Sequence, residues 1–400
     1  MVRQASLRSD LESITGVENT RSGSEDIAVD GLTPEAVARP TTVESAAEII
    51  RYANAHDLAI IPLGGRCHRS LGNVPSRYDI ALDTTALSAI VEYEPEDLTI
   101  TCQAGITLGA LRAATGAAGQ MVPFDPSIPD AATVGGVLAA DVWGPARMSL
   151  GAPRDFTIGL RVITGDGVVT RAGGRVVKNV AGYDLCKLYI GSLGTLAVIT
   201  EASFKVQPLP KEARASAFEF ASASDACRVP NEALMHALAM RSAAVTRTGE
   251  RWLLSIVIGG APSAVERSAR EIAALASDAG GEEPAEPVPA LEQLVACRLS
   301  MLPSELPAQL ETLASKLGAY ASLVAYPTLG AIRAGLLDAG ALERASLPGV
   351  ARVIEAAPPE AKRGIDVFGE PPASLPLMQA AKEQFDPKAV LSPGRFVDRL

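Results

Sequence analysis

The chain has 400 residues, of which 48% are hydrophobic and 4% aromatic, and its formal net charge is −10. This length is long for one hydrophobic core and accommodates two domains. The negative charge argues against a nucleic-acid surface, which needs a concentrated basic patch. Asp141, Arg154 and Asp166 interrupt the longest apolar runs, so none reaches the roughly 18 apolar residues that a membrane-spanning helix needs.

The N-terminus and the cysteines indicate a cytoplasmic protein. Residues 1–16, MVRQASLRSDLESITG, have no apolar core after their arginines, unlike an export signal. The five cysteines (67, 102, 186, 227 and 297) stand singly without a CxxC pair, so they offer no ligand set for zinc or an iron–sulfur cluster. Their odd number fits reduced thiols. Three histidines lie far apart, and we expect no metal site.

The first half of the chain alternates strands and helices. We expect residues 1–38 to be irregular apart from one helix capped by Ser9 or Asp10, and order to begin at Arg39. Thr42 is suited to cap a helix that runs through His56. The other predicted elements are strands at 58–63, 80–82, 98–103 and 195–200, helices at 107–115, 135–140 and 184–189, and a hairpin of strands 157–164 and 168–171.

The sequence changes character at Pro208, Pro210 and Lys211, which mark the predicted domain boundary. Beyond it we expect strands at 217–220, 251–258, 322–326 and 350–356, helices at 231–240, 263–277 and 307–317, and a linker at 282–290. Ser263 is the predicted cap of the long helix, which Gly280 and Gly281 end. This alternation predicts a small antiparallel sheet with helices on one face, an α+β domain.

A glycine-rich loop follows the first buried strand. Gly64 and Gly65 end the strand, and Arg66, Cys67, His68, Arg69, Ser70 and Gly72 follow. A run of exposed N–H groups in this position forms a nest for a pyrophosphate, to which Arg66 and Arg69 would add charge-assisted hydrogen bonds. The alternative is a tight turn without a ligand. The pattern is not a GxGxxG that opens a helix, which disfavours a Rossmann NAD site.

A second glycine pair opens a helix of small residues. A proline-rich stretch that includes Pro126 leads to Thr133, and Gly135 and Gly136 follow. Unpaired N–H groups at a helix start suit a phosphate or a polarised carbonyl; the alternative is close helix packing.

Gly151 and Asp155 precede the next strand. Asp155 would accept hydrogen bonds from ligand hydroxyl groups, or, alternatively, cap a turn while paired with Arg154.

Two segments resemble a known family. Residues 176–208, VVKNVAGYDLCKLYIGSLGTLAVITEASFKVQP, resemble the flavin-binding segment of FAD-linked oxidases with the vanillyl-alcohol-oxidase, or PCMH, type of FAD domain. Residues 178–185, KNVAGYDL, resemble the E-subunit family of bacterial glycolate oxidases, and residues 385–396, FDPKAVLSPGRF, resemble its closing segment. The resemblance covers 39–210 and the last fifteen residues, whereas 213–370 match only in length and texture.

The resemblance implies an α+β fold. An N-terminal extension (1–38) would precede a PCMH-type FAD-binding domain of two α/β subdomains (39–210). A smaller α+β domain with an antiparallel sheet (211–400) would follow, with residues 385–396 returning to the FAD domain.

The resemblance also implies non-covalent FAD. Its contacts would come from Gly64, Gly65, Arg66, Cys67, His68, Ser70, Gly72, Pro126, Thr133, Gly135, Gly136, Gly151, Asp155, Gly194 and Ile199. Relatives with covalent flavin carry their histidine directly after the glycine pair, where this chain has Arg66, so we favour a surface or phosphate-contacting role for His68. Arg66-Cys67-His68, Asp141, Trp143 and Met148 depart from the family pattern, and we expect the substrate side of the flavin to differ.

No residue stands out as catalytic. Arg395 would stabilise negative charge at the N1–C2 carbonyl edge of the flavin, or lie at the surface and pair with an acid across the domain interface; we favour the second. Tyr183 is a poor base because its unperturbed pKa is about 10, and we favour packing or hydrogen bonding at the flavin site.

Three functional hypotheses follow. Self-sufficient 2-hydroxy-acid oxidases carry a His-rich metal and base motif in the second domain, whereas residues 213–400 contain only His236. We favour an FAD-binding subunit of a glycolate oxidase-like complex, acting with a catalytic FAD-containing subunit and an iron–sulfur subunit, and peripheral at the inner membrane through them. The alternatives are a self-contained oxidoreductase for alcohols or hydroxy acids and a scaffold whose flavin site has decayed.

Overall fold

The computed structural model describes residues 2–174, 183–282, 295–318 and 321–400. The strands are β1 Thr20–Ser22, β2 Ala36–Ala38, β3 Ile60–Leu63, β4 Ile80–Asp83, β5 Ile90–Glu94, β6 Thr99–Gln103, β7 Gln120–Met121, β8 Thr157–Thr164, β9 Val169–Gly173, β10 Ala197–Lys205, β11 Gln207–Pro208, β12 Glu212–Phe220, β13 Met240–Thr248, β14 Arg251–Gly260, β15 Val295–Ser300, β16 Ala321–Tyr326, β17 Ala331–Leu336 and β18 Ala351–Ala356. The α-helices are α1 Val2–Thr15, α2 Val43–Ala55, α3 Leu108–Gly116, α4 Val134–Ala140, α5 Arg147–Leu150, α6 Pro153–Phe156, α7 Cys186–Tyr189, α8 Ala223–Met235, α9 Pro262–Asp278, α10 Leu306–Leu317, α11 Ala341–Arg344, α12 Pro359–Lys362 and α13 Leu375–Phe385.

The first sheet has the strand order β1-β2-β4-β3, in which β2, β4 and β3 are parallel. Thr42 caps α2 as predicted, because its side chain accepts from the N–H of Ser45. The prediction that residues 1–38 are irregular is wrong for β1 and β2, which belong to this sheet, and the first helix begins at Val2 rather than near Ser9. Leu7 and Leu11 of α1 lie one turn apart and pack into the core of the sheet, a two-residue pattern that the polar surroundings conceal.

The second sheet is antiparallel and has the order β5-β6-β10-β8-β9. The predicted hairpin is present as β8 and β9, and Thr107 caps α3 by accepting from the N–H of Ala110. β10 begins at Ala197, two residues later than predicted, and pairs with both β6 and β8. The two sheets and their helices place the loop after β3, the start of α4 and the start of β10 at one cleft.

The third sheet has seven antiparallel strands in the order β12-β14-β13-β16-β17-β15-β18. Helices α8, α9 and α10 share one hydrophobic core with it, which confirms the predicted α+β architecture. Strands in this sheet alternate: Cys297 and Leu299 of β15 face that core, whereas Ala296 and Arg298 line a cavity on the other face.

Several boundaries in this domain differ from prediction. Helix α8 ends at Met235 and Met240 opens β13, so the predicted helix 231–240 is wrong in its second half. Ala261 rather than Ser263 is the N-cap of α9. Strands β13, β15 and β17 were not predicted, since alanine and arginine interrupt their apolar pattern. The predicted linker lies outside the described residues from 283 onward.

The C-terminal segment after α13 runs along the edge strand β3. The N–H of Ile60 donates to the carbonyl of Val390 (2.7 Å), and the N–H of Ser392 donates to the carbonyl of Ile60 (2.8 Å). These bonds join the end of the chain to the strand that leads into the glycine-rich loop.

Candidate functional site

A narrow cleft of about 110 Å³ lies where the glycine-rich loop, the start of α4 and the start of β10 meet. Ten of the residues predicted to contact a cofactor line it: Gly64, Gly65, Arg66, Cys67, His68, Thr133, Gly135, Gly136, Gly194 and Ile199. Three segments that are distant in sequence therefore converge on one groove.

The other predicted positions lie elsewhere in the described part of the chain. Ser70 lines a larger neighbouring cavity, and Gly72 packs against the carbonyl of Arg395. Pro126, Gly151 and Asp155 line neither space.

Asp155 acts locally in the structure, since its carboxylate accepts from the N–H of Ala152 (2.7 Å). Its expected partner Arg154 instead pairs with Asp141 (2.8 Å), so the predicted Arg154–Asp155 pair is wrong.

Close packing explains the first glycine pair. A Cβ on Gly64 would lie 2.0 Å from Thr133 Oγ1, and one on Gly65 would lie 2.2 Å from the carbonyl oxygen of Ala131. The N–H of Gly65 donates to Thr133 Oγ1 (3.2 Å). The loop therefore reaches the start of α4 only because both positions lack a side chain.

The arginines of the loop pair with the N-terminal segment. Arg66 Nη1 lies 3.1 Å from Asp26 Oδ2, and Arg69 Nη1 donates to the carbonyl of Asp26 (2.6 Å). A hydrogen bond from Ser24 and interactions with Arg21 and Arg66 lower the pKa of Asp26 to about 2. Asp26 therefore holds both arginines at the mouth of the cleft.

The cleft opens into a larger cavity of about 720 Å³ between the loop and the third sheet. Cys67, His68, Leu71, Ala140 and Leu193 line both spaces. We call the narrow cleft the channel and the larger cavity the chamber, since the first leads into the second.

The sheet side of the cavity carries paired charges. Glu355 Oε1 lies 3.0 Å from Arg298 Nε, and its Oε2 lies 3.3 Å from Arg333 Nε. Arg333 Nη2 also donates to the carbonyl of Trp143 (2.9 Å), which belongs to the opposite domain. The guanidinium carbons of Arg147, Arg298 and Arg333 lie 4.8, 5.4 and 5.1 Å from the Trp143 ring centroid.

His68 is the histidine on the cavity wall. Burial lowers the pKa of its imidazole below 6.5, the charge of Arg333 lowers it further, and Glu355 opposes the shift. The ring is therefore largely neutral at pH 7. Sequence reasoning missed Arg298, Arg333 and Glu355, because residues 213–370 contain no recognisable motif.

The two weak catalytic candidates differ in position. Arg395 is 4% exposed and donates through Nη2 to the carbonyls of Arg69 (2.8 Å) and Leu71. The expected surface position is therefore wrong, whereas the expected pairing with an acid is present, as Asp30 Oδ2 lies 3.6 Å from Arg395 Nη1. Tyr183 is 95% exposed, which contradicts the expected packing. Residues 178–182 of the KNVAGYDL motif lie outside the described residues.

The described ranges (2–174, 183–282, 295–318 and 321–400) contain neither a metal-binding cluster nor a membrane-spanning helix. In those ranges, no group of three or more His, Cys, Asp or Glu side chains is arranged to hold a metal ion. No described helix is long and apolar enough to cross a membrane.

The residues present fit FAD. The narrow channel has glycine backbone on two sides, which suits a dinucleotide pyrophosphate, and the chamber has room for a ring system. Gly136 lines the channel, and a Cβ there would meet only Thr133 Oγ1, at 3.2 Å. The backbone at this point is therefore open to a ligand.

Comparisons with known proteins agree with this fit. Residues 34–173 match the family model described as FAD binding domain. The chain is 47% identical over 131 residues to glycolate oxidase subunit GlcE of Escherichia coli (strain K12), a match covering 32% of this chain and 37% of that protein. It is 36% identical over 179 residues to glycolate oxidase subunit GlcD of Bacillus subtilis (strain 168), covering 44% and 38%.

A D-lactate dehydrogenase of Archaeoglobus fulgidus is 30% identical over 226 residues, covering 54% of this chain and 51% of that protein. The matches thus span about half or less of the length of these curated relatives.

Solved structures match over nearly the whole chain. p-Cresol methylhydroxylase with substrate bound superposes with a TM-score of 0.74 at 16% identity, covering 98% of this chain and 96% of that one. 4-Ethylphenol oxidase from Gulosibacter chungangensis gives 0.72 at 15%, covering 99% and 97%. The chain therefore has the fold of these two enzymes, its residues 34–173 match the PCMH-type FAD-binding family, and FAD is the cofactor.

Proposed function

We propose that the chain is the FAD-binding subunit of a glycolate oxidase-like complex, which passes electrons from the oxidation of glycolate or D-lactate to a partner iron–sulfur subunit. One observation carries this proposal. The channel that fits FAD opens into the chamber, and the carboxylates that line the chamber are already paired with arginines. FAD, when bound, supplies an acceptor for the hydride of a C–H bond. The glycine-rich loop and the start of α4 would hold it.

Oxidation of a hydroxy acid also needs a group that accepts the hydroxyl proton. Glu355 is held between Arg298 and Arg333, and Asp141 is held by Arg154. Both carboxylates therefore already contact guanidinium groups, whereas a general base needs an oxygen placed to meet the substrate hydroxyl. We therefore assign proton removal to a catalytic partner subunit.

The comparisons support an assembly. The names GlcE and GlcD belong to subunits of glycolate oxidase. The present chain matches GlcE at 47% identity over 131 residues, and it also matches the FAD binding domain family. In our proposal the partner subunits place this chain in the cytoplasm, at the inner face of the membrane.

A self-contained hydroxy-acid oxidoreductase is the second candidate. The observation that favours it is His68, a largely neutral imidazole that lines both the channel and the chamber. A neutral imidazole is able to take up a proton near pH 7.

Anaerobic reduction separates the two candidates. The purified chain is loaded with FAD, and glycolate or D-lactate is added with and without the catalytic and iron–sulfur subunits while the flavin absorption band is followed. We expect bleaching only in the presence of the partners. Bleaching of the isolated chain at the same rate would overturn the subunit proposal in favour of the self-contained enzyme.

A further inference from the structure

Two buried cations lie beneath the glycine-rich loop. Lys362, at the end of α12, is 0% exposed, and Arg395, in the C-terminal segment, is 4% exposed. Lys362 Nζ donates to Asp30 Oδ1 (2.6 Å), to the carbonyl of Ser70 and to that of Gly72 (3.3 Å). Asp30 Oδ2 lies 3.6 Å from Arg395 Nη1.

The two cations donate hydrogen bonds to four successive carbonyl groups of the loop. Arg395 holds those of Arg69 and Leu71, whereas Lys362 holds those of Ser70 and Gly72. In a trans peptide unit the N–H points away from the carbonyl, so the N–H groups of Ser70 and Gly72 are turned away from the cations. The C-terminal half of the chain thus fixes the peptide planes of a loop in the FAD domain.

One donor of this cluster is left over. Arg395 Nη1 is buried and donates no hydrogen bond among the described residues, and Asp30 Oδ2, which faces it at 3.6 Å as an ion pair, accepts none. Two cations against one carboxylate leave the cluster with a net charge of +1. An unmade hydrogen bond on a buried charged donor is costly, and Arg395 lines the channel.

We propose that Arg395 is a ligand of the FAD pyrophosphate, and that Lys362 and Asp30 are positioning residues for Arg395 and the loop. The pyrophosphate is anionic and offsets the unbalanced buried charge. A guanidinium forms charge-assisted hydrogen bonds to phosphate oxygens. This inference goes beyond the proposed function, because it rests only on FAD binding and not on any hydroxy acid or partner.

Ligand affinities of the apoprotein test the proposal. Dissociation constants are measured for FAD by fluorescence titration, and for ADP and adenosine by competition. For Arg395→Met we expect FAD and ADP to bind about 10- to 100-fold more weakly, as for one lost charge-assisted bond. Adenosine, which has no phosphate, should bind as it does to the wild type.

Two variants separate a ligand from a structural support. Lys362→Met removes hydrogen bonds to the loop. Lys362 is not among the described residues that line the channel or the chamber. The Lys362→Met variant should therefore weaken FAD binding less than Arg395→Met does. Arg399→Met is the matched control. Arg399 lies near Arg395 in sequence and also donates to a backbone carbonyl, that of Ile365, but it does not line the channel or the chamber. This variant should leave all three affinities unchanged.

The proposal is overturned if Arg395→Met binds FAD like the wild type, or if it loses adenosine affinity as much as ADP affinity. Should the methionine variant not fold, Arg395→Lys keeps the buried charge and is measured in the same comparison of ADP with adenosine. Flavin reduction is not used in any of these measurements, so their outcome is independent of the proposed function.

Discussion

Gly64 and Gly136 both line the FAD channel, but the space beside them differs. At Gly64 a Cβ would collide with Thr133 at 2.0 Å, whereas at Gly136 the nearest atom lies at 3.2 Å. Gly64 is therefore required by the protein's own packing, and Gly136 leaves room that a cofactor would use. Substitutions at the two positions should fail in different ways.

Gly136→Leu should abolish FAD retention in a chain that remains folded, because the new side chain projects into the channel without meeting backbone. Bound flavin is measured after gel filtration, with circular dichroism as the test of folding. Gly116→Leu is the control, since a Cβ there meets nothing within 4 Å. Unchanged flavin occupancy in folded Gly136→Leu would count against this placement of the site.

The reactivity of the five thiols provides a second prediction about single residues. Burial raises the pKa of Cys102 and Cys227 to about 12, and that of Cys186 and Cys297 to about 11. Thiol reagents attack the thiolate, so these four should be unreactive at pH 8. Cys67 is exposed and lines the channel, and FAD should slow its reaction.

The measurement is a titration with a chromogenic disulfide at pH 8. We expect one rapidly reacting thiol per folded chain and five after denaturation. A second rapid thiol, or the same rate with and without FAD, would contradict this assignment.

Among secondary-structure elements, β15, β17 and β18 carry the charged cluster of the chamber wall. Arg298 and Arg333 stand directly opposite each other in the register of β15 and β17, an arrangement of like charges that is unfavourable by itself. Glu355 of β18 lies between them and offsets the repulsion. Arg333 then extends across the interface to Trp143.

Arg333→Met should therefore loosen the contact between the two domains, at a cost of about 1–2 kcal/mol for the lost hydrogen bond and ion pair. Unfolding in urea is followed by flavin fluorescence and by circular dichroism, and the flavin transition should move to lower urea. Arg298→Met loses a similar ion pair and a cation–π contact with Trp143 at 5.4 Å, but no hydrogen bond to the FAD domain, so its flavin transition should move less. Identical behaviour of both variants would contradict a coupling role for Arg333.

The sequence predicts the local features of these elements better than the distant ones. The Thr42 cap and the glycine pairs were recognisable because each depends on residues a few positions apart. The Arg298–Arg333–Glu355 cluster was not, because these three side chains are more than twenty residues apart in sequence and meet only through the register of the sheet. Arg395 was singled out in the sequence, but its burial depends on Asp30, which lies at the opposite end of the chain.

In the whole molecule, the C-terminal segment connects the second domain to the first. Lys382 Nζ bonds Asp386 Oδ2 (2.6 Å), the carbonyl of Thr195 (2.8 Å) and that of Leu391 (3.0 Å). Asp386 also accepts from the N–H groups of Val390 and Leu391. Burial lowers the pKa of Lys382, so the ammonium depends on this carboxylate.

Asp386→Ala should reduce the free energy of unfolding by about 3–5 kcal/mol, because it leaves a buried charge without its partner. The double variant Lys382→Met with Asp386→Ala should recover part of the loss, since it removes that charge. Urea unfolding at pH 7 measures both. A single variant as stable as the wild type would show that the pair does not anchor the segment.

The most direct test of the whole account is the absorption spectrum of the purified chain, followed by acid release and identification of the chromophore. We predict one FAD per chain, released by acid, because the channel fits FAD and the family resemblance of the sequence implies a non-covalent cofactor. A folded chain that remains colourless after incubation with FAD would contradict the central claim and leave only the scaffold hypothesis.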